Sequence, residues 1–458
     1  MKKIVLVISI VLLFTGYSYS TTKKVFLVGG NLDGTYSQIF DDMASAIDMK
    51  LDRQDNCGDW NTTKCPKVAV ITSAADNSEI AKDKVYPYYK KLFEDNGFIT
   101  KHVIANVDNY TTTTDTNTKQ GAENARIIKD ADIIFFNGGN QTLHSRTWLN
   151  DDGSYNTLMK EVAPKYNSGA LMVGTSAGMA VLGDITFGGI SDSAKDSFGI
   201  LFFHHNQGLA QKSVKDGAVG GTGFADQRIN PNPKLVKLQH EQNGGLMSGL
   251  SLLPFEVITD THFGDRGRLG RLISAMSDSK KHIGLGIDQD NTALLVTIES
   301  NDTFNLSAYG KNGSYIVSTY DSNFDNGKGS IFAKNIRLDY LSNGDVAKVS
   351  GKNITVIPAN NKKAILTESN NQSTSNDILS PYAIFDVISS LSKSSKQSAT
   401  GKTNIPAEYP TNTPIFEFLF TKDNTKSYCI MSDNKCLTEP SDYTIENLYL
   451  DIESKQLN

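Results

Sequence analysis

An α/β fold, with a mostly parallel sheet carrying helices on both faces and a β-rich C-terminal extension, is the class that this 458-residue sequence predicts. Three observations predict it. From Lys24 onward, short runs rich in Val, Ile and Phe alternate with amphipathic stretches. Three of those runs end in Gly-rich turns, where open parallel sheets place their sites. Beyond about Val296, helical spacing gives way to short alternating runs such as "SYIVSTY" and "ITVIPA".

The elements follow in order. Lys2 and Lys3 precede an apolar run from Ile4 to Phe14 and a small-residue end at Ser18–Ser20, the pattern of a secretory signal peptide over residues 1–20. That run is too short to span a bilayer, and no later segment reaches the roughly 18 apolar residues a membrane helix needs. The mature chain is therefore expected to be exported, periplasmic or secreted, with no membrane attachment. Strands are expected at "KVFLVGG" (Lys24), "KVAVITSA" (Lys67), "HVIAN" (His102), "ADIIFFNGG" (Ala131) and "ALMVGT" (Ala170). Between them, Ser78 to Asn96 reads as a helix, with Ile80, Val85, Tyr88, Leu92 and Phe93 at helical spacing. Ala218 to Gln239, rich in Gly, Asn and Pro, reads as a long loop. The expected organisation is a catalytic-size domain over 21–300, a β-rich extension over 301–367, a Ser/Asn-rich linker or mobile segment over 368–403 broken by "YAIFDVISSL", and a small C-terminal region over 404–458.

Charge narrows the function. The net charge is −5, and loss of Lys2 and Lys3 with the signal makes the mature chain more acidic still, with no basic stripe for nucleic acid. Four cysteines form two local pairs, Cys57 with Cys65 and Cys429 with Cys436. In an exported chain this spacing reads as two disulfides; zinc knuckles use shorter spacing and nearby histidines.

The chemistry gathers at the turns. "GTSAG" places Ser176 between two glycines, after an apolar strand and before a helix start, the context of a nucleophile presented on a sharp turn. The amide of Ala177 would then face developing negative charge, and a second donor is expected from "NGGNQ", at Gly139. Of seven histidines (His102, His144, His204, His205, His240, His262 and His282), His262 stands out as the base. It opens "DTHFGDRGRLGRL", which also holds Asp260, Arg266, Arg268 and Arg271, and arginine is suited to gripping carboxylates with two prongs. "GLGIDQDNTALL" offers Asp288 and Asp290 as candidates to orient His262, and spacing does not choose between them.

Together "FFNGGNQ", "GTSAGMAVL", "DTHFGDRGRLGRL" and "GLGIDQDNTAL", in this order, resemble the cyanophycinases and their relatives in the peptidase S51 group. The resemblance covers roughly Lys24 to Val296. It implies a fold like the class I glutamine amidotransferases, with serine replacing their cysteine, and cleavage beside aspartate, in cyanophycinases the release of β-aspartyl-arginine. By position it makes Ser176 the nucleophile, His262 the base, and Gln141, Asp260, Arg266, Arg268 and Arg271 the substrate pocket. No metal or organic cofactor is expected; the expected partner is an aspartate-rich peptide or cyanophycin-type polymer, and a homodimer is left open. Two positions depart from the family: Thr261 stands where Gln usually precedes the histidine, and Asp288-Gln289-Asp290 stands where the family reads Asp-Glu. The second departure passes the acid to Asp290 or leaves the site without one. Thr261 keeps a broader isoaspartyl or aspartyl peptidase in play, and Gln289 a non-catalytic secreted binding protein.

Overall fold

The computed structural model describes residues 22–53, 57–61, 64–150, 152–187, 197–198, 201, 246–325, 331–371, 373–407 and 411–455. The expected signal peptide over 1–20 and the expected loop from Ala218 to Gln239 lie outside these residues, as do His204, His205 and His240.

The five N-terminal strands are β1 (Lys23–Val28), β2 (Lys67–Ile71), β3 (Ile99–Val103), β4 (Ile133–Phe136) and β5 (Leu171–Thr175). They pair in parallel in the order β1-β5-β4-β2-β3. Both faces of these strands are buried, which is why they read as continuous apolar runs. Successive residues divide between two cores: Val25 and Leu27 point to one, Phe26 and Val28 to the other. Helices Gln38–Ser45 and Tyr86–Glu94 cover the Phe26 face, and helices Lys119–Asp130 and Met159–Asn167 the Leu27 face. The strand expected from His102 begins earlier, at Ile99, because Ile99 to Lys101 pair with Lys67 to Ala69. Within the expected helix from Ser78, a π turn at Ala81–Val85 inserts a residue and moves the buried phase, so Tyr89 is buried and Tyr88 is 50% exposed.

The expected boundary near residue 300 is not a structural boundary. Strands Ala293–Ile298, Thr303–Tyr309, Val346–Ser350 and Asn353–Ile357 extend the first sheet antiparallel from β1, giving it nine strands. Conversely, Val257–Asp260 and Ile283–Ile287 belong to a second sheet of ten strands. They join it through Gly313–Ser318, followed by Ala333–Ser342, Tyr443–Lys455 and Ile415–Cys429. The β-rich region thus completes both sheets.

The stretch expected as a linker is also folded. It holds helix Ala383–Lys393, whose Ile384, Phe385, Val387, Ile388 and Leu391 are buried in the core under the second sheet, and strand Ser398–Lys402. The helix is amphipathic, with Asp386 exposed and Ser389 small enough to be buried with the apolar face, so polar composition was compatible with packing. Cys57 is bonded to Cys65 and Cys429 to Cys436. Among the described residues no helix is long and apolar enough to cross a membrane.

Candidate active site

The carboxyl ends of β1, β4 and β5 converge with the turns after Asp260 and Ile287. Ser176 follows β5 directly, with φ 50° and ψ −117°, a conformation that costs free energy for a non-glycine residue and persists only where the surroundings enforce it. They do so here: the Ser176 N–H donates to Val28 O (3.0 Å), and the chain turns at once into helix Ala177–Ala180. The two glycines of the pentapeptide permit this packing. A Cβ on Gly174 would lie 2.3 Å from the Gly178 carbonyl, and one on Gly178 would lie 2.0 Å from the Phe136 carbonyl of β4.

His262 meets this serine. Its Nε2 lies 2.8 Å from Ser176 Oγ, and its backbone, at φ 45°, is held by donation from its N–H to Gly29 O (3.0 Å). The ring packs flat on Gly30, where any Cβ would fall 2.2 Å from Cε1. On the far side, Nδ1 lies 2.8 Å from Gln289 Oε1. An amide oxygen only accepts, so Nδ1 carries the proton and the Nε2 lone pair faces the serine hydroxyl. The amide is placed by Asn31, whose Nδ2 donates to Gln289 Oε1 (3.3 Å). Burial above all pushes the His262 pKa down to about 4, aided by Arg266 and Arg268, while the Gln289 hydrogen bond opposes the shift. The imidazole is neutral at physiological pH.

Neither aspartate expected beside His262 reaches it. Asp290 accepts from Asn31 Nδ2 (2.9 Å). Asp288 is fully buried and accepts from the Gly264 N–H (2.6 Å), bracing the turn that carries His262; burial raises its pKa to about 7. The strand ends at Ile287 and the chain turns, with Asp290 at φ 62°, so the turn sends Asp288 to the Gly264 N–H, Gln289 to the imidazole and Asp290 to Asn31.

Near Ser176, Gly138 approaches so closely that a Cβ there would sit 3.4 Å from Ser176 Cβ. The N–H groups of Gly139 and Ala177 have no acceptor among the described residues. The glycine turn is fixed by a buried relay. Trp148 Nε1 donates to Ser73 Oγ (2.8 Å), Ser73 Oγ donates to His144 Nδ1 (2.6 Å), and His144 Nε2 donates to Asn137 O (3.0 Å). Asn137 Oδ1 also accepts from the Ala74 N–H (3.1 Å). Burial holds His144 neutral, with a pKa near 4.

The expected substrate residues are partly spent on one another. Asp260 is buried and takes a two-pronged grip from Arg271, through Nε (2.6 Å) and Nη2, and a contact from Arg268 Nη1 (3.3 Å). Arg268 Nη1 also donates to Thr261 O (2.7 Å) and Thr261 Oγ1 (3.0 Å). Arg271 stacks 4.4 Å over the Phe187 ring, and Gln141 Nε2 donates to Phe187 O (2.6 Å), joining the two clusters. The half-buried Arg266 guanidinium has no ion pair among the described residues.

No family model matches the sequence. The chain is 30% identical over 217 residues to a cyanophycinase from Synechococcus elongatus, 46% of this chain and 51% of that one. It is 30% identical over 232 residues to a cyanophycinase from Trichormus variabilis, 49% of this chain and 59% of that one. In sequence, this stretch is cyanophycinase-like. The chain spans just over half the length of these curated relatives. Among solved structures, a peptidase from an acI-B1 actinobacterium is similar at a TM-score of 0.38 and 16% identity, covering 74% of this chain and 96% of that one. A putative peptidase E from Listeria monocytogenes is similar at 0.34 and 13%, covering 63% and 100%.

Sequence reasoning overlooked Gln289, Asn31 and Gly30 as parts of the site. Gln289 had a readable signal, since it has the length of glutamate and stands at the second position of the family's Asp-Glu pair. Asn31 and Gly30 lie in the Gly-rich turn after β1 and carry no motif of their own.

Proposed function

We propose that this chain is an exported serine-type peptidase that cuts aspartyl or β-aspartyl peptide bonds, with a cyanophycin-type polymer as its substrate. The observation that carries this reading is the 2.8 Å contact between Ser176 Oγ and His262 Nε2 at a strained strand-to-helix turn, where the Gly139 and Ala177 N–H groups have no acceptor among the described residues. In this reading His262 takes the hydroxyl proton as Ser176 attacks the scissile carbonyl. The Gly139 and Ala177 amides hold the oxyanion, and the proton passes to the leaving amine. A water, deprotonated by the same imidazole, then hydrolyses the acyl-enzyme. Arg266, whose guanidinium no described carboxylate occupies, meets the substrate's free carboxylate, while Asp260, Arg268 and Arg271 form the wall behind it. The two curated relatives named cyanophycinase support the substrate class.

Two observations favour other readings. The Thr261 hydroxyl is engaged with Arg268, which favours a pocket built for a broader range of isoaspartyl peptides. Gln289, a neutral partner where triads carry a carboxylate, favours a non-catalytic secreted binding protein on the same scaffold. One assay separates all three: purified mature chain with cyanophycin and a panel of β-aspartyl and α-aspartyl dipeptides, products identified by mass. Release of β-aspartyl-arginine supports the first reading, cleavage of the dipeptides alone the second, and no cleavage the third.

A further inference from the structure

Two turns meet at the rim of the candidate site, one after β1 and one after Ile283–Ile287. Their backbones are clamped together: the Asp290 N–H donates to Gly30 O (3.1 Å), and the Gly29 N–H to Thr292 O (3.0 Å). Side chains continue the clamp, since Asn291 Oδ1 accepts from the Asp33 N–H (2.9 Å) and Asn291 Nδ2 donates to Asp33 Oδ1 (2.8 Å). Asn31 and Asp290 meet across it, both in the left-handed region (φ 50° and 62°), which these residue types tolerate better than most. Asn31 Nδ2 has two hydrogens and two acceptors within reach, Asp290 Oδ1 at 2.9 Å and Gln289 Oε1 at 3.3 Å.

A glutamine beside a histidine base raises a difficulty that a glutamate does not. The two oxygens of a carboxylate are equivalent acceptors, whereas an amide turned by 180° presents its NH₂ to Nδ1 and leaves the proton on Nε2, the tautomer that cannot take the serine proton. Asn31 carries the same ambiguity, as an amide at the exposed rim. In the row Asp290, Asn31, Gln289, His262, only the carboxylate has no wrong face, because when ionised it accepts and never donates. Its contact settles each of the others in turn. Asn31 must point its NH₂ at Asp290, and the same nitrogen then requires an oxygen from Gln289. That oxygen, 2.8 Å from His262 Nδ1, requires the proton there. We infer that Asp290 is a positioning residue that fixes the His262 tautomer at two removes, through the orientation of the Asn31 and Gln289 amides. This rests on Ser176 and His262 acting as nucleophile and base.

The test uses the chain from residue 21 to the C-terminus and exchanges the two rim residues. Asn31→Asp with Asp290→Asn keeps net charge and size, but turns an acceptor on Gln289 where the wild type has a donor. Two readouts are taken: ¹⁵N NMR of labelled histidine, with the His262 signals assigned through His262→Gln, and steady-state kinetics. The exchange is expected to turn the Gln289 amide and move His262 to the Nε2-protonated tautomer. It should lower kcat about tenfold or more with KM nearly unchanged, the scale of one charge-assisted hydrogen bond. Persistence of the Nδ1-protonated tautomer in the exchanged protein overturns the inference, whatever kcat does. Asp290→Ala is the second variant, and it decides if the exchanged protein does not fold. It should give both tautomers in the wild-type background and the Nδ1-protonated form alone when combined with Gln289→Glu. A tautomer unmoved by Asp290→Ala in the wild-type background, or mixed in both backgrounds, would make Asp290 merely structural and overturn the inference. If the wild-type chain cleaves nothing, the peptidase reading fails, and the tautomer spectra alone still decide the role of Asp290.

Discussion

At the scale of single residues, the Ser176–His262–Gln289 chain has a neutral third member. Ser176→Ala is expected to keep the fold and lower turnover by about 10⁴-fold or more, read as kcat on whichever aspartyl substrate the wild type cleaves. The His262 pKa near 4 means the base stays unprotonated well into acid, so kcat/KM should hold from neutrality down to about pH 5 and fall only as pH drops through about 4. Gln289→Glu places a negative charge on Nδ1–H, which favours the imidazolium; the acid limb should move upward by about 1 unit or more, and kcat at neutral pH should rise. A pH–rate series on both proteins checks the direction. Asp288 behaves differently because it serves the backbone. Its folded pKa lies above the ordinary carboxylate value, so its ionisation opposes folding and stability is lost as pH rises through about 7. Asp288→Asn keeps an acceptor for the Gly264 N–H and removes that ionisation, so the variant should melt higher than wild type at pH 9 and retain activity. Asp288→Ala leaves that N–H unpaired and should cost about 2 kcal/mol at acid pH, where the wild-type carboxyl is neutral, with the loss shrinking as pH rises, visible in denaturant titration.

At the scale of elements, each part of the site is borne by the end of a strand and fixed by a neighbour in the sheet. β5 delivers Ser176, and its partner β1 supplies the Val28 carbonyl that anchors it and the Gly30 surface on which His262 rests. The strands Val257–Asp260 and Ile283–Ile287, parallel neighbours in the second sheet, carry His262 and Gln289 at matching ends. The helix Ala383–Lys393 is tied to this frame through its cap residue Tyr382, whose N–H donates to Gly264 O (2.8 Å) on the His262 turn, and through its buried face. Leu391 is 1% exposed in that face, so Leu391→Ala should destabilise the protein by about 2–5 kcal/mol in denaturant unfolding. A merely mobile linker would show no such loss.

At the scale of the whole molecule, the two sheets are interleaved along the chain. The first is extended by strands beyond residue 300, and the second begins with strands before it. A chain ending at residue 300 would strip Ile283–Ile287 of its Gly313–Ser318 partner and Ala293–Ile298 of Thr303–Tyr309, exposing apolar edges. Such a truncation is expected to be insoluble or to lack a cooperative melting transition, whereas a chain from residue 21 to the C-terminus is expected to melt as a folded unit; expression and calorimetry compare them.

What the sequence determined by itself was local. Continuous apolar runs marked β1, β2, β4 and β5, because strands buried on both faces need no alternation, and glycine spacing around Ser176 marked a turn that only close backbone packing demands. His262 was legible because an apolar strand led into it beside a cluster of arginines. What only the tertiary structure decided was which group at the end of a strand faces which. Asp288, Gln289 and Asp290 are adjacent in sequence, but the turn after Ile287 sends them to the Gly264 N–H, to the imidazole and to Asn31, a choice set by how two sheets meet across more than two hundred residues. The pairing of Arg268 and Arg271 with Asp260, and the arrival of Tyr382 from the far end of the chain, are of the same kind: they depend on long-range packing, which leaves no local pattern for sequence reading to detect.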